Sequence, residues 1–429
     1  MGPLGYVLLV FLVLFVLRLP ISIVLIASTI VGLLLAPVQI SLSTLPTTLW
    51  HGVNHFVLMA IPFFILMGDL ALASGVTQRL VNFAKAFVGH IAGGFAHVSI
   101  LVNMIMAGMS GSDLADAAAT GKLLIPAMQR SGFPTAYAAS IIAGAATIGP
   151  LIPPSIGFII FAAATDTSVG RLFLGGAVPG LMLGIFLMIQ AWVVARRNGY
   201  PREPRMPYRE RVQATVLGLP VLTVPVVVLG SILTGIATPT EAAVLGVIAV
   251  VVIGVAYRQL SAATFARQCL ATIHTVGAVF LIIAAAAAFG RVLTLYGAAD
   301  SLAQWMTGIT MDPLLFLIGV NVVYLLLGSM VDTVPILLVF VPLLMPTVQA
   351  LGIDTVHFGV ITVFNLLIGL VTPPYGLTMY LLCRLAGIGL HEFWRYQWPI
   401  FLMMLFALAL VTYFPALTTF LPDLLMPLG

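Results

Sequence analysis

Two polar, glycine-rich turns and two double-proline segments interrupt a chain that is otherwise 61% hydrophobic. The turns are Gly108-Met109-Ser110-Gly111-Ser112-Asp113 and Gly328-Ser329-Met330-Val331-Asp332-Thr333. The interruptions are Thr147-Ile148-Gly149-Pro150-Leu151-Ile152-Pro153-Pro154-Ser155 and Gly369-Leu370-Val371-Thr372-Pro373-Pro374-Tyr375-Gly376. Proline has no backbone N–H to give and clashes with the preceding turn, so two adjacent prolines open a helix. In apolar surroundings the freed carbonyls must be buried in protein or line a polar cavity. Carbonyl and hydroxyl oxygens without a fixed charge beside them suit a hard, weakly charged cation such as Na⁺. Half-helix N-termini next to them suit an anion. A turn set against a break, made twice, would give two cation sites flanking one anion.

The elements that position these segments occur twice. Residues 123–179 recur without a gap 220 positions later as 343–399. Leu123-Leu124-Ile125-Pro126 answers to Leu343-Leu344-Met345-Pro346, and Pro153-Pro154 to Pro373-Pro374. With small slips the match extends outward, Gly68 and Gly75 to Gly290 and Gly297, and Leu19-Pro20 to Thr238-Pro239. A repeat with broken segments in corresponding places points to a secondary transporter.

Apolar runs predict helical spans at 4–17, 20–36, 52–72, 133–168 (broken) and 175–195, then at 217–235, 239–257, 272–292, 355–386 (broken) and 395–421. The pairs 91–107 with 112–130, and 312–328 with 333–350, are too close to be independent crossings and read as re-entrant hairpins. Amphipathic connectors precede them, Val76–Gly89 and the segment around Asp300–Thr307. The fold class is an all-α polytopic membrane protein with about ten spans and two re-entrant hairpins. Five crossings per copy is an odd number, so the copies are inverted. Residues 1–200 form the first repeat, with 1–90 outside its hairpin and broken helix at 91–170. Residues 212–429 form the second, with 212–292 outside its hairpin and broken helix at 310–388. Residues 196–211 link them.

Composition agrees. Only 7% of residues are charged, against about 25% in soluble domains. The formal charge of +4 sits on arginines between spans, which read as topology signals and not as a nucleic-acid footprint. If loop 196–211 is cytoplasmic, Arg18, Arg79, Lys85, Arg130, Arg258, Arg267, Arg384 and Arg395 share its side, and only Arg171 and Arg291 fall outside. Both termini then face the periplasm. Residues 1–19 lack a basic leader and a small-residue cleavage site and read as a first span. Cys269 and Cys383 support neither a disulfide framework nor a metal site.

Asp113, Asp116 and Lys122 lie within hairpin 1, and intramembrane ionisable residues are functional candidates by default. Asp116 and Lys122 could equally be a structural pair. Glu241 after Thr238-Pro239 reads as a helix cap. His51, His55 and His90 read as interfacial, His97 as filling a hairpin face, and Trp305, Trp394 and Trp398 as interfacial anchors.

Four ordered motifs carry a resemblance that covers nearly the whole chain. They are Met109-Ser110-Gly111-Ser112, the run Ile148-Gly149-Pro150-Leu151-Ile152-Pro153-Pro154-Ser155, Ala237-Thr238-Pro239-Thr240-Glu241-Ala242-Ala243, and Val371-Thr372-Pro373-Pro374-Tyr375-Gly376. These resemble the large membrane subunit of tripartite ATP-independent periplasmic (TRAP) transporters, in the wider ion-transporter superfamily. The resemblance implies an elevator-type carrier in the bacterial inner membrane, with a fixed scaffold (spans 4–36 and 217–257) and a sliding domain of two hairpins and two broken helices. It implies Na⁺-coupled import of an organic acid anion, such as a sialate or dicarboxylate, handed over by a periplasmic substrate-binding protein. A small four-helix membrane subunit is the further expected partner; no organic cofactor and no enzymatic activity are expected.

Carried over motif by motif, one Na⁺ site would use Ser110 and Ser112 with carbonyls of Gly149, Ile152 and Pro154. The other would use Gly328 with Gly369, Thr372 and Tyr375. The substrate would meet Ser110, Asp113, Pro153 and Ser155 on one side, and Ser329, Asp332, Thr333 and Pro373 on the other. This chain departs from commoner versions of the first tip in placing Asp113 directly after Ser112, so Asp113 is either a further ligand or turned away.

Two rival readings stand beside this one. A stand-alone Na⁺/dicarboxylate carrier would keep the fold without the partners. The four residues Gly108-Met109-Ser110-Gly111 also match a Gly-x-Ser-Gly intramembrane serine protease, whose histidine would have to be His97 or lie on a distant span.

Overall fold

The computed structural model describes residues 2–36, 42–309 and 311–427, and every regular element among them is helical. The first copy opens with α1 (Pro3–Val16), α2 (Ile21–Leu34) and α3 (Thr44–Val53). A 3₁₀ turn at Phe56–Met59 leads into α4 (Ala60–Ala73), and α5 (Val76–Val88) follows. Hairpin 1 is α6 (Gly94–Ser110) and α7 (Asp113–Arg130); the first broken helix is α8 (Thr135–Ala146) and α9 (Ile156–Thr165); α10 (Val169–Asn198) closes the copy. The second copy runs α11 (Tyr208–Leu233), α12 (Pro239–Ala256), α13 (Ala262–Leu295) and α14 (Ala298–Ile309). Hairpin 2 is α15 (Pro313–Gly328) and α16 (Thr333–Ala350), the second broken helix α17 (Thr355–Gly369) and α18 (Leu377–Ala386), and α19 (Leu390–Tyr413) and α20 (Ala416–Leu425) follow. The starts of α7 and α16, of α8 and α17, and the cis Pro153–Pro154 and Pro373–Pro374 bonds all keep the 220-residue offset read from the sequence.

Seven helices among the described residues are long and apolar enough to cross a bilayer unaided. The 14-residue α1 and α2 are shorter, reaching only about 21 Å. Several helix starts are capped by side chains, which satisfies N–H groups that water cannot reach. Ser112 caps α7, Ser155 caps α9 and Asp354 caps α17, while Thr238 and Glu241 form a reciprocal capping box on α12. Val216, Val226, Val252 and Ile273 stand exposed on α11, α12 and α13, an apolar surface that hydrocarbon would cover.

The helix contacts centre on two clusters, which meet where α5 packs on α6 and α13 on α16. In one, α4 packs on α12 and α13, α2 and α3 pack on α13, and α5 packs on α11. In the other, α8 lies against α6, α7 and α19, and α15 against α17. The copies are intertwined here: α7 packs on α18, and α16 on α9, so each hairpin's second arm rests on the other copy's broken helix. Fully buried Phe161 of α9 and Phe358 of α17 also meet across the copies, with ring centroids 6.2 Å apart. Asn365 Nδ2 donates to the Asn321 carbonyl at 2.8 Å and Asn321 donates to Thr412 Oγ1 at 3.0 Å, tying α17, α15 and α19 together.

Three sequence expectations change. The span at 395–421 ends at Phe414, whose φ of −120° and ψ of 82° leave the helix before Pro415, and α20 packs separately on α10 and α17. A residue preceding proline is pushed out of the helical region. Loop 196–211 shrinks to 199–207, because α10 and α11 extend into it, and it does more than connect: Glu203 pairs with Lys85 at 2.7 Å. Asp116 does not pair with Lys122. Asp116 is fully buried, whereas Lys122 is exposed and points to a different cavity.

Arg171 anchors α20. Its side chain is 6% exposed and donates to Asp423 Oδ1 and to the Met426 carbonyl, both at 2.6 Å. Arg171→Gln should cost ~1–2 kcal/mol locally and free α20. Limited proteolysis should then cut near Phe414 faster than in the parent protein, with the rest of the cleavage pattern unchanged.

Candidate functional site

Each turn meets the break of its own copy. Gly111, with φ of +57°, turns the chain between α6 and α7. A Cβ at Gly111 would lie 2.8 Å from the Pro154 carbonyl oxygen, so only glycine allows this approach to the break. Ser110 ends α6, is 4% exposed, and accepts from the Ser112 N–H at 3.4 Å. The Gly149 backbone lies against Asp116: a Cβ there would stand 2.6 Å from Asp116 Oδ2. Neither Asp116 carboxyl oxygen has a hydrogen-bond partner; the Ser110 hydroxyl lies beside it without bonding geometry. A buried carboxyl left without a partner is costly. Its position against a run of freed carbonyls is where a cation would relieve it.

The second turn is packed tighter still. A Cβ on Gly369 would stand 2.5 Å from the Gly328 carbonyl carbon, so the two glycines put the end of α15 in backbone contact with the end of α17. The Tyr375 N–H donates to the Ser329 carbonyl at 3.0 Å, closing turn on break. Thr372 Oγ1 donates to the Ile368 carbonyl at 2.6 Å, which leaves the hydroxyl lone pairs free to accept or to coordinate.

Between the two turns, and facing α4 and α13, lies a cavity of about 460 Å³. Three helix N-termini reach it: Leu114 and Ala115 of α7, Ile156 and Gly157 of α9, and Thr333 and Val334 of α16. Each brings the positive end of a helix dipole, although the Ala115 and Thr333 N–H groups are already bonded to Ser112 and Asp332. The side chains oppose this. Asp69, Asp113 and Asp332 line the cavity, and no lysine or arginine does. Asp113 Oδ2 accepts from Thr378 Oγ1 at 2.5 Å, which fastens the first turn to α18 of the other copy and not to its own break. Asp332 Oδ1 accepts from the Thr333 N–H at 2.7 Å, whereas the buried Thr333 hydroxyl has no partner.

Of the residues proposed to meet substrate, Ser110, Asp113, Asp332 and Thr333 line the cavity, and Ser112 does so too. Ser155 does not: its hydroxyl accepts from the Phe158 N–H at 3.3 Å and is spent on the cap. Ser329 donates to the Leu326 carbonyl within its own helix. Pro153 is buried away from the cavity, and Pro373 sits on an exposed face beside Tyr375, itself 44% exposed. Sequence reasoning passed over Asp69 of α4, which accepts from Thr272 of α13 at 2.8 Å and forms part of the opposite wall. The signal was present, since Asp69 is an acidic residue inside an apolar span. Thr378 carried no such signal; its role depends on α7 crossing to α18.

With His97 as its base, the serine-protease reading fails on geometry. His97 and Ser110 lie on one helix, thirteen residues apart, which separates them by about 20 Å along its axis. No nucleophile–base pair can form between them.

Two intertwined copies, each with a hairpin tip closed on a broken helix, are the architecture of a membrane transport protein. The profile of the tripartite ATP-independent periplasmic transporter, DctM component, matches residues 8–417, and the chain belongs to that family. It is 40% identical over 384 residues to the C4-dicarboxylate TRAP transporter large permease protein DctM of Pseudomonas aeruginosa, covering 89% of this chain and 90% of that one. It is 37% identical over 379 residues to the sialic acid TRAP transporter large permease protein SiaM of Vibrio cholerae, covering 88% and 89%. Among solved structures, the YdaH transporter of Alcanivorax borkumensis shares the fold at a TM-score of 0.65 and 14% identity, over 91% of this chain and 96% of that one. The chain is therefore a multi-pass membrane transport protein of a bacterial family, and not an enzyme.

Gly369→Ala should wedge the second turn off its break, at a cost of about 2 kcal/mol or more. Thermal unfolding in detergent should fall by several degrees. Gly230→Ala, where a Cβ meets nothing within 4 Å, should leave it unchanged.

Proposed function

We propose that this chain is the Na⁺-coupled, substrate-translocating subunit of an inner-membrane importer for an organic acid anion, and that it works by an elevator motion. The sign of the cavity carries the reading. Three carboxyl side chains and no cation line it, so an anion meets repulsion there unless cations arrive first. Na⁺ bound where the first turn meets its break, beside Asp116, and where Gly328, Gly369 and Thr372 converge, supplies that charge. Three helix N-termini then complete an anion site. Coupling follows, because the anion binds well only to the Na⁺-loaded form. Relatives named for sialic acid, C4-dicarboxylate and 2,3-diketo-L-gulonate support an organic acid as cargo.

The moving part is the group built on the two hairpins and broken helices, against a scaffold of α1, α2, α4, α11, α12 and α13. Arg18 Nη2, at the end of α1, lies 3.5 Å from the Tyr375 hydroxyl in the second break. With Arg18 on the cytoplasmic side, as the positive-inside rule assigns it, this arrangement is the inward-displaced one. A small membrane subunit on the apolar face of the scaffold and a periplasmic substrate-binding protein complete the system, and both termini face the periplasm.

Thermal unfolding of the purified chain, with any subunit that accompanies it, tests the coupling when NaCl is compared with KCl and choline chloride at constant ionic strength. Selective binding to the folded state raises stability by mass action. A Na⁺-specific rise is expected, and three superimposed curves would sink the proposal. Thr372→Val should weaken the apparent Na⁺ affinity about tenfold without loss of folding. Asp116→Asn removes a buried carboxyl without a partner, so the variant should unfold at a higher temperature in choline and gain less from Na⁺.

A further inference from the structure

The polar face of the amphipathic α5 borders an open groove. Gln78, Asn82 and Lys85 turn toward α7, which presents Lys122, Pro126 and Arg130 in return. Between them is a groove of about 510 Å³, on the side of hairpin 1 away from its tip. It holds three cationic side chains and one carboxylate, Glu203, delivered by the segment joining the two copies. Glu203 is held on three sides. Its Oε2 lies 2.7 Å from Lys85 Nζ, its Oε1 accepts from Ser131 Oγ at 3.4 Å, and its N–H donates to the Gly89 carbonyl at 3.2 Å. The groove thus already takes a carboxylate and remains two positive charges in excess.

Two neighbouring cations are already occupied. Arg79 stacks 3.8 Å over Tyr257 and donates to the Gly75 carbonyl, and Arg196 stacks 4.3 Å over Trp192. Lys122 and Arg130 pair with no carboxylate among the described residues. Eight residues separate them along α7, about 12 Å, a span two long side chains can close from both ends. Leu123, 37% exposed, forms an apolar lip to the groove. Charges that served only to orient the chain would not need to converge from two helices on one cavity.

We infer that the groove between α5 and α7 binds a phosphate-bearing anion, in the membrane the headgroup of an anionic phospholipid, through Lys122 and Arg130, with Glu203 competing for Lys85. A phosphate matches the donor set: two or three cationic groups and the Ser131 hydroxyl against a tetrahedral acceptor. The apolar lip matches the glycerol and acyl chain of a lipid. Because the groove is walled by two separate elements, its occupant ties α5 to hairpin 1.

The experiment uses the full chain in detergent with any accompanying subunit, and follows thermal unfolding against added short-chain phosphatidylglycerol, phosphatidylcholine or sodium phosphate, at constant Na⁺ and ionic strength. Phosphatidylglycerol should raise the midpoint and phosphatidylcholine should not. Lys122→Gln/Arg130→Gln should weaken the apparent affinity about 10-fold or more, Glu203→Gln should strengthen it, and Arg197→Gln should leave it unchanged. If sodium phosphate gives the same rise, lost in the same double variant, the anion site stands and its source is soluble. A rise that survives the double variant, or no difference between phosphatidylglycerol, phosphatidylcholine and phosphate-free controls, overturns the inference and leaves these cations as topology signals. The exposed positions of Lys122 and Arg130 keep both variants foldable.

Discussion

The architecture turns on one constraint: backbone carbonyls freed inside an apolar protein must find partners there. Double prolines open α8–α9 and α17–α18 at the same level of the repeat. The protein answers with a hairpin turn pressed onto each break, and glycines at 111, 328 and 369 make the approach close enough for backbone to meet backbone. The hairpins, their register and the small residues at their tips follow from that requirement. So does the exchange of arms, α7 onto α18 and α16 onto α9, which buries the outer faces of the broken helices against the opposite copy.

The same geometry sets up an electrostatic conflict. Helix N-termini converge on the central cavity and favour an anion, whereas Asp69, Asp113 and Asp332 line it and Asp116 lies buried behind Gly149. A site with an arginine in place of these carboxyls would bind an anion outright and have no need of a second solute. On the proposed function, a site carrying them would stay incomplete until cations enter, which would tie one flux to another. The interaction of Asp113 with Thr378 of α18 also means that the two copies are not independent at the centre.

Most of the fold was legible in the residues. The 220-residue offset, the hairpin arms and the positions of both breaks came through because helical period, proline and glycine are local signals that lipid makes stringent. The first hairpin, read as 91–107 and 112–130, is observed as Gly94–Ser110 and Asp113–Arg130. The misreadings lie where local signals compete. The run 395–421 is mostly apolar, and of its two prolines Pro399 stays inside α19 while Pro415 marks the division. Loop 196–211 looked inert because its charges resemble topology signals, yet Glu203 reaches back to Lys85 and Ser131.

The sequence by itself determined the class of protein, its two copies, and the turn and the break in each copy. These depend on spacing along the chain and on the cost of exposing backbone to hydrocarbon. Only the tertiary structure decided which polar groups meet. Ser155 and Ser329 satisfy their own helices, Asp116 faces Gly149 and not Lys122, Asp113 crosses to Thr378, and Asp69 joins the cavity from the other helix group. The serine bonds are local, three residues long. The Asp113 and Asp69 contacts depend on where helices of the two copies cross, which is set by packing between residues more than 200 positions apart and leaves no pattern in either segment alone.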